Sequence, residues 1–290
     1  MRDDGAVAAA GVPEIELRDG ARIPQLGFGV FQVPAPETAQ AVSRALEAGY
    51  RHIDTATHYG NETAVGQAIR ASGIDREEIF VTTKCPNVSH GYEQAKAACH
   101  ASLEWLDLGP IDLYLIHWPV PSTDLYVDTW RAFIELAADG LVRSIGTSNF
   151  QPAHLERLVA ETGVAPVVNQ IELHPRMAQH ELRRLHARLG IATEAWSPLA
   201  RGALLGDPVI AGVAGAHGRT PAQVLIRWHL QIGNIVIPKS VTPSRIEENF
   251  DVFGFELTLE EVAAIDGLDR GERIGPDPDS FVAPPPRPQT

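Results

Sequence analysis

The sequence predicts an α/β fold, a (β/α)8 TIM barrel, and three observations support this class. Eight short apolar runs alternate with amphipathic stretches, a pattern typical of a parallel sheet covered by helices. No change in composition divides these repeats into separate parts. The chain has 290 residues, of which 44% are hydrophobic, and a barrel of about 250 residues is a common single-domain solution. We therefore expect one domain over residues 1–290.

A small hairpin is predicted before the repeats begin. Residues 14–17 alternate polar and apolar side chains, Asp19-Gly20 is typical of a tight turn, and residues 22–23 return. Residues 1–12 are rich in Ala and Gly and lack a basic segment followed by an apolar core. We expect them to be flexible and to contain no signal peptide.

Each repeat then predicts one strand and one helix. The strands are expected at residues 26–30, 51–54, 79–84, 111–117, 142–147, 167–171, 191–196 and 235–238. Helices are expected at residues 36–48, 62–71, 92–106, 127–138, 153–160, 180–188, 222–230 and 243–250. An extra C-terminal helix, residues 259–265, is predicted to pack on the barrel. The Pro-rich loop at residues 275–290 cannot form helix or sheet, and we expect it to lie over the surface.

Composition argues against several classes of partner. The formal net charge is 24 − 37 = −13, which disfavours binding to nucleic acid or to an anionic membrane. No apolar run approaches the roughly 18 residues of a membrane-spanning helix. The two cysteines, Cys85 and Cys99, make no disulfide framework, and this usage fits a reducing compartment. We expect a monomeric cytoplasmic protein that acts on a small molecule.

Polar side chains recur where the predicted strands end. In a barrel, these strand ends and the loops after them form the active face. Considered alone, Asp54 could be a turn residue and Tyr59 a half-buried aromatic. The repeated placement favours a shared site, and the other strand-end residues are Lys84, His117, Ser148, Asn149, Gln170, Trp196, Ser197, Lys239 and Ser240.

These groups could deliver a proton to a carbonyl oxygen. A phenol has a pKa of about 10, which is too high for efficient proton donation at neutral pH. We expect the Lys84 ammonium to lower the pKa of Tyr59, and the Asp54 carboxylate to pair with that ammonium. The His117 imidazole would hold the carbonyl oxygen in line with the phenol. Such a set is suited to protonating an oxygen while hydride reaches the carbon.

Longer motifs surround these strand-end residues. In chain order they are Gly29-Val30-Phe31-Gln32-Val33, Ile53-Asp54-Thr55-Ala56 with Tyr59-Gly60-Asn61-Glu62, Thr82-Thr83-Lys84, Leu115-Ile116-His117-Trp118-Pro119, Gly146-Thr147-Ser148-Asn149-Phe150, Asn169-Gln170-Ile171-Glu172-Leu173-His174-Pro175 and Ile237-Pro238-Lys239-Ser240. Together they resemble the aldo-keto reductases over residues 14–270. The resemblance is strongest to the bacterial 2,5-diketo-D-gluconate reductase branch.

The resemblance implies NADPH as the cofactor and a role for each residue. Tyr59 would be the general acid, Lys84 and Asp54 the pair that tunes it, and His117 the group that orients the substrate. Ser148, Asn149 and Gln170 would hydrogen-bond the nicotinamide carboxamide, and Trp196 would stack on its ring. Further cofactor contacts are expected from Asp54, Ser197 and Leu199, and the adenosine phosphate segment is matched by Lys239, Ser240, Val241, Arg245, Glu248 and Asn249.

The family binds NADPH without a Rossmann fold, and the sequence agrees with this. Gly27-Phe28-Gly29 is followed by Gln32, so no complete G-x-G-x-x-G motif exists. Thr242-Pro243 opens a helix whose N-terminal amides face the loop after the eighth strand. Lys239 and Arg245 lie on either side of that opening. They predict a cationic pocket for a 2′-phosphate and therefore a preference for NADPH over NADH.

The predicted reaction is the reduction of aldehydes or activated ketones, including α-dicarbonyls, aromatic aldehydes and keto-sugars. The substrate pocket is expected to be lined by Phe31, Tyr59, His117 and Trp118. After Lys84 the family usually carries Leu-Trp-Asn, whereas this chain has Cys85-Pro86-Asn87. An aromatic wall is therefore missing, and substrate preference cannot be copied from the family. Cys85 is either an oxidisable thiol with a pKa lowered by Lys84 or a small buried filler.

Two other functions fit parts of the pattern. A non-catalytic, redox-sensing NADPH-binding subunit could use the same barrel. A metal-dependent barrel hydrolase could use His52, Asp54 and His117 as ligands. The hydrolase leaves Lys84 and Tyr59 without a role, so we predict no metal.

Overall fold

The computed structural model describes residues 11–282 and 286–289. The expected flexibility of residues 1–12 falls almost entirely outside this range. The predicted hairpin is present as β1 (Glu14–Glu16) and β2 (Arg22–Pro24), which pair antiparallel. Leu17 and Ile23 pack against Leu113 and Ile235 inside the barrel. The hairpin therefore covers one end of the barrel with apolar side chains.

The next eight strands form one parallel sheet in sequence order. They are β3 (Phe28–Gly29), β4 (His52–Asp54), β5 (Phe80–Cys85), β6 (Ile111–Ile116), β7 (Val142–Ser148), β8 (Val168–Glu172), β9 (Ala192–Trp196) and β10 (Ile235–Val236). Leu26 forms a parallel bridge with Val236, and the Gly27 N–H donates to the Val236 carbonyl oxygen at 2.9 Å. The first and last strands therefore meet, and the predicted closed barrel is confirmed.

The first and last barrel strands are shorter than predicted, with two residues each. Pro238 has no N–H to donate, which weakens any extension of β10. Single hydrogen bonds nevertheless continue beyond the strands. The Gly29 N–H donates to the Pro238 carbonyl oxygen at 3.1 Å, and the Val30 N–H donates to the Asp54 carbonyl oxygen at 3.0 Å. These bonds hold the loops of the active face against the barrel rim.

Helices cover the outside of the sheet. They are α1 (Ala35–Ala48), α2 (Glu62–Ala71), α3 (Tyr92–Leu106), α4 (Tyr126–Ala138), α5 (Pro152–Thr162), α6 (His180–Leu189), α7 (Pro208–His217), α8 (Pro221–Gln231), α9 (Pro243–Phe250) and α10 (Leu259–Asp266). The extra helix α10 packs on the barrel as predicted, since the Trp228 indole N–H donates to Asp266 Oδ1 at 2.8 Å. Among the described residues, no helix is both long and apolar enough to cross a membrane.

Helix α7 was missed by the sequence pattern. Its residues are almost all Ala, Gly, Val or Ile, so no apolar stripe alternates with a polar face. Asp207 caps it by accepting a hydrogen bond from the Val209 N–H at 3.0 Å. Burial of Ile210 and Val213 then fixes the helix against the rest of the fold. The long insertion between β9 and α8 is therefore ordered.

The main core lies between the sheet and the helices. Tyr114 of β6 stacks on Phe133 of α4, with ring centroids 4.6 Å apart. The Trp130 indole N–H donates to the Val164 carbonyl oxygen at 3.0 Å. Apolar burial on the outside of the barrel leaves the inward-facing strand residues free to carry polar groups.

Candidate active site

A cavity of about 810 Å³ opens where the barrel strands end. Sixteen of the predicted site residues line it: Phe31, Asp54, Tyr59, His117, Trp118, Ser148, Asn149, Gln170, Trp196, Ser197, Leu199, Lys239, Ser240, Arg245, Glu248 and Asn249. Two predicted residues do not. Lys84 lies below the cavity floor with no exposed surface, and Val241 is 45% exposed and outside the lining. Val241 follows Ser240 of the lining, and its expected cofactor contact stays a prediction.

A buried ion pair lies at the floor of the cavity, where Asp54 lines the cavity and Lys84 lies directly beneath it. Neighbouring strands β4 and β5 present Asp54 and Lys84, and Lys84 Nζ lies 2.8 Å from each carboxylate oxygen of Asp54. The Thr55 carbonyl oxygen accepts a third bond from the ammonium at 2.8 Å. Burial disfavours the ammonium, but the charges of Asp54 and Tyr59 outweigh it and raise the pKa of Lys84. Lys84 is therefore a fixed cation.

The phenol of Tyr59 lies beside this cation. Tyr59 ends a short 3-10 helix, Thr57–Tyr59, and Gly60 takes the left-handed conformation that turns the chain into α2. Lys84 Nζ lies 5.3 Å from the centroid of the Tyr59 ring. Burial nevertheless raises the pKa of Tyr59 to about 12, because desolvation exceeds the opposing effect of Lys84. Lys84 lowers the pKa of Tyr59 as expected, but burial, which the expectation left out, outweighs it, and the phenol holds its proton at neutral pH.

His117 faces Tyr59 across the cavity, with the two ring centroids 5.8 Å apart. Burial, with Lys84 and neighbouring imidazoles, lowers the pKa of His117 well below its ordinary value, so the ring is neutral. Asn149 holds this strand end in place. Its Nδ2 donates to the His117 carbonyl oxygen at 3.0 Å, and its Oδ1 accepts from the Trp196 indole N–H at 2.8 Å.

Polar residues on strands β7 and β8 are hydrogen-bonded to each other and to Asp54. Gln170 Nε2 donates to Asp54 Oδ2 at 2.8 Å. The Ser148 hydroxyl donates to the Gln170 carbonyl oxygen at 2.9 Å. These bonds fix the polar surface between the buried ion pair and the half-exposed indole of Trp196.

Three basic residues stand at another part of the lining: Arg201, Lys239 and Arg245. All three are exposed, and none takes part in an ion pair within residues 11–282 and 286–289. Arg201 was not predicted, because it lies in a short 3-10 helix, Ala200–Gly202, inside the insertion after β9. On a chain with a net charge of −13, three cations without ion-pair partners among the described residues make this part of the cavity locally positive. Anionic groups are attracted to such a cluster.

The C-terminal segment completes the cavity. Ile274 and Gly275 donate their N–H groups to the buried carboxylate of Glu172, at 2.5 and 2.9 Å. Phe281 then packs on Trp118, with ring centroids 4.4 Å apart, and lines the cavity. The segment follows the surface as expected, and in addition its first part makes contacts with Glu172 and Trp118 that the sequence did not predict. Phe281 supplies an aromatic wall in a pocket that lacks one after Lys84.

Other lining residues were missed from the sequence. Besides Arg201 and Phe281, they are Gly29, Gln32, His58, Asn87, Pro198, Gly202, Leu205, Thr220, Pro221, Ala222, Ile237, Pro238 and Pro276. Gly29, Gln32, Ile237 and Pro238 belong to the motifs but were given no role in the site. His58 and Asn87 lie close to motif residues and could have been found by extending those motifs. Pro276 and the residues around Arg201 come from irregular segments, whose path has no periodic pattern to reveal it.

Cys85 and the suggested metal ligands have structural surroundings. Cys85 has no exposed surface, and burial raises the pKa of its thiol to about 12. The expected lowering of this pKa is therefore wrong, and the buried position agrees with the filler interpretation. His52 lies inside the barrel, where its Nε2 is 3.0 Å from Thr82 Oγ1. Within the described part of the chain, no three His, Cys, Asp or Glu side chains are placed to hold a metal ion.

A closed (β/α)8 barrel with polar strand ends and a lined cavity on that face has the architecture of a barrel enzyme acting on a small molecule. The chain belongs to the aldo/keto reductase family, whose model matches residues 25–270. It is 59% identical over 269 residues to an aldo-keto reductase of Mycolicibacterium smegmatis, covering 93% of this chain and 98% of the relative.

Two further similarities cover nearly the whole chain. It is 53% identical over 269 residues to the methylglyoxal reductase DkgA of Escherichia coli, covering 92% of this chain and 97% of that protein. The crystal structure of a Gox0644 mutant in complex with NADPH matches with a TM-score of 0.89 and 49% identity, covering 92% of this chain and 98% of that one. The family resemblance seen in the sequence motifs is confirmed.

Proposed function

We propose that this protein uses NADPH to reduce aldehydes and activated ketones to alcohols, with Tyr59 as the general acid. The observation that carries the proposal is the buried Lys84–Asp54 pair beside a phenol that keeps its proton at neutral pH. The similarity to a methylglyoxal reductase supports α-dicarbonyls as substrates. Aromatic aldehydes and keto-sugars belong to the same proposed class of reactive carbonyls.

The cavity fits an elongated, phosphate-bearing cofactor. Arg201, Lys239 and Arg245 would hold its phosphates, and the three cations favour NADPH over NADH because only NADPH carries a 2′-phosphate. Ser148, Asn149 and Gln170 would bond the nicotinamide carboxamide, with Trp196 against the ring. When bound, NADPH supplies the hydride for the carbonyl carbon.

The chain's own residues manage the proton. Tyr59 holds the proton that the carbonyl oxygen takes up as negative charge develops there. Lys84 is positioned to stabilise the phenolate left behind, and Asp54 keeps this ammonium in place. His117, as a neutral imidazole, would donate one N–H to the same oxygen and align it with the phenol.

The substrate end of the cavity favours compact carbonyl compounds. Trp118 and Phe281 form one wall, and Phe31 packs against Tyr59 with ring centroids 5.1 Å apart. Polar side chains line this end too: the His58 and His117 ring centroids lie 6.1 Å apart, and the Asn87 amide has no hydrogen-bond partner among the described residues. We infer that compact reactive carbonyl compounds, such as α-dicarbonyls, suit this mixed apolar and polar surface.

We also infer a monomeric, single-domain protein of the cytoplasm that does not bind nucleic acid. The two cysteines are free thiols, which fits a reducing compartment. The formal net charge of −13 opposes binding to polyanions.

The test is Tyr59→Phe, assayed with methylglyoxal by the loss of NADPH absorbance. We expect turnover to fall by about 10²–10⁴-fold, while the Kd for NADPH, measured by quenching of tryptophan fluorescence, stays within about twofold. Tyr114→Phe is the matched control, because that buried hydroxyl lies outside the cavity and has no hydrogen-bond partner among the described residues. A wild-type protein that binds NADPH but reduces no aldehyde would favour the redox-sensing function. Equal loss of binding and turnover in Tyr59→Phe would refute the role of Tyr59.

A further inference from the structure

A second buried carboxyl group lies inside the barrel, one layer below the active-site floor. Glu194 stands two residues before Trp196 on β9, as His52 stands two residues before Asp54 on β4, so each pair shares the inward face. Glu194 and His52 have no exposed surface, and His52 Nε2 lies 3.7 Å from Glu194 Oε1. Gly27 leaves room for this imidazole, because a Cβ there would come within 2.4 Å of His52 Nδ1.

This carboxyl group makes no well-formed hydrogen bond with the described residues. Neither oxygen of Glu194 has a partner of normal geometry there, although the Gln170 amide is near enough to lower its pKa, and Nδ1 of His52 has none either. A buried carboxylate without partners is so unfavourable that the group takes up a proton instead. Burial, and then the negative charge of Asp54, raise the pKa of Glu194 to about 8. Glu194 is therefore mostly neutral at neutral pH and able to ionise just above it.

The groups that face Glu194 come from several strands. On β4, Asp54 raises its pKa, and His52 stays neutral because burial lowers the imidazole pKa to about 3. On β5, the Lys84 ammonium lowers the pKa of Glu194. Strands β8 and β10 flank the strand of Glu194: β8 contributes the uncharged amide of Gln170, which also lowers the pKa of Glu194, and β10 contributes apolar residues. The charges of Asp54 and Lys84 therefore have opposite effects on the pKa of Glu194: Asp54 raises it and Lys84 lowers it.

We propose that Glu194 is a positioning residue that carries a proton in the working enzyme and sets, through its charge, how readily Tyr59 releases its own. The inference rests on the proposed function of Tyr59 as general acid. With Glu194 neutral, the buried cluster holds one cation and one anion. When Glu194 ionises, the added negative charge raises the pKa of Tyr59 further and makes it a weaker acid.

The substitution Glu194→Gln tests this, because the amide keeps the shape of the side chain and cannot ionise. The readout is the pH profile of kcat for methylglyoxal reduction at saturating NADPH, from about pH 6 to about pH 10. In the wild type, kcat should fall as the pH passes about 8, the pKa of Glu194. In Glu194→Gln that fall should be absent, and Glu194→Asp should restore it with a different midpoint.

A second readout requires no turnover. Between its ordinary pKa of 4.5 and about 8, Glu194 binds more proton in the folded than in the unfolded chain, so stability falls as the pH rises through this window. From about pH 6 to about pH 9, the unfolding constant of the wild type should rise about a hundredfold more than that of Glu194→Gln. Urea denaturation at each pH measures the unfolding constant. If Glu194→Gln does not fold, Glu194→Met replaces it as the variant that cannot ionise.

The two readouts separate the inference from the proposed function. A wild-type protein that oxidises no NADPH with methylglyoxal would end the role given to Tyr59 and, with it, this proposal. If the wild type turns over and the pH profiles of wild type and Glu194→Gln coincide, the role of Glu194 is overturned while the proposed function stands. Equal loss of stability in both proteins with rising pH would show that Glu194 is already ionised, and would also overturn it.

Discussion

Replacing Lys84 with Met would test the electrostatics of the site directly. Met keeps the length and the apolar stem of the side chain and removes the ammonium. The Asp54 side chain, which is 3% exposed, then becomes a buried carboxylate without its counter-ion. Gln170 remains its side-chain donor among the described residues, at 2.8 Å. The substitution therefore isolates the effect of one positive charge.

The expected losses can be worked out from this geometry. Removing one member of a buried ion pair costs about 3–5 kcal/mol. For a chain of 290 residues, an unfolding entropy of about 2.1 cal/mol/K per residue gives about 0.6 kcal/mol/K, so the Tm of Lys84→Met should fall by about 5–8 °C. Turnover should fall by about 10²–10⁴-fold, because the phenolate of Tyr59 loses its neighbouring cation.

Circular dichroism melting and NADPH oxidation with methylglyoxal measure the two effects separately. Asp54→Asn combined with Lys84→Met is the matched control, since removing both charges leaves no uncompensated buried ion. This double variant should regain most of the Tm and none of the turnover. The reasoning would be refuted by a Lys84→Met protein that melts within about 1 °C of the wild type, or by a double variant no more stable than the single one.

Three other predictions follow from the remaining contacts. Lys239→Ala should weaken NADPH binding by about 10- to 100-fold and leave NADH binding within about twofold. The substitution removes one charge-assisted contact to the 2′-phosphate, which NADH lacks. Fluorescence titration with both coenzymes measures the two dissociation constants. Gln289→Ala should raise the KM for methylglyoxal and leave kcat unchanged. The Gln289 side chain donates to the Glu62 carboxylate and accepts from the Glu62 backbone N–H, each at 3.0 Å, beside the Tyr59 loop. An unaltered KM in steady-state kinetics would contradict this prediction. Cys85 should react with a thiol reagent after denaturation and resist it in the native protein, because burial raises its pKa to about 12; equal rates would contradict the structure.

The sequence by itself determined the barrel and the convergence of its strand ends. Eight apolar runs alternating with amphipathic helices leave a closed parallel sheet as the natural solution. Once that architecture is set, Asp54, Lys84 and His117 must meet, because parallel strands end on one face. Exact strand lengths did not follow, since β3 and β10 are closed by single hydrogen bonds and an isolated bridge that carry no periodic pattern.

Helix α7 and the cavity contacts of Arg201 and Phe281 were decided by the tertiary structure. These residues lie in segments whose course depends on distant partners, such as the Glu172 carboxylate that holds the chain just before Phe281. Sequence spacing records the order of residues along a strand or helix. It does not record which remote surface an irregular segment will cover.

Protonation was also decided by the fold. The sequence correctly placed a cation beside the phenol and concluded that its pKa would fall, but burial raises the pKa of Tyr59 to about 12. The same burial raises the pKa of Glu194 to about 8, and among the described residues neither of its oxygens has a hydrogen-bond partner of normal geometry. An interaction between two charges involves two particular side chains, so a sequence motif can predict its effect on a pKa. Desolvation depends on all the atoms that exclude water, and those are known only when the whole barrel has assembled.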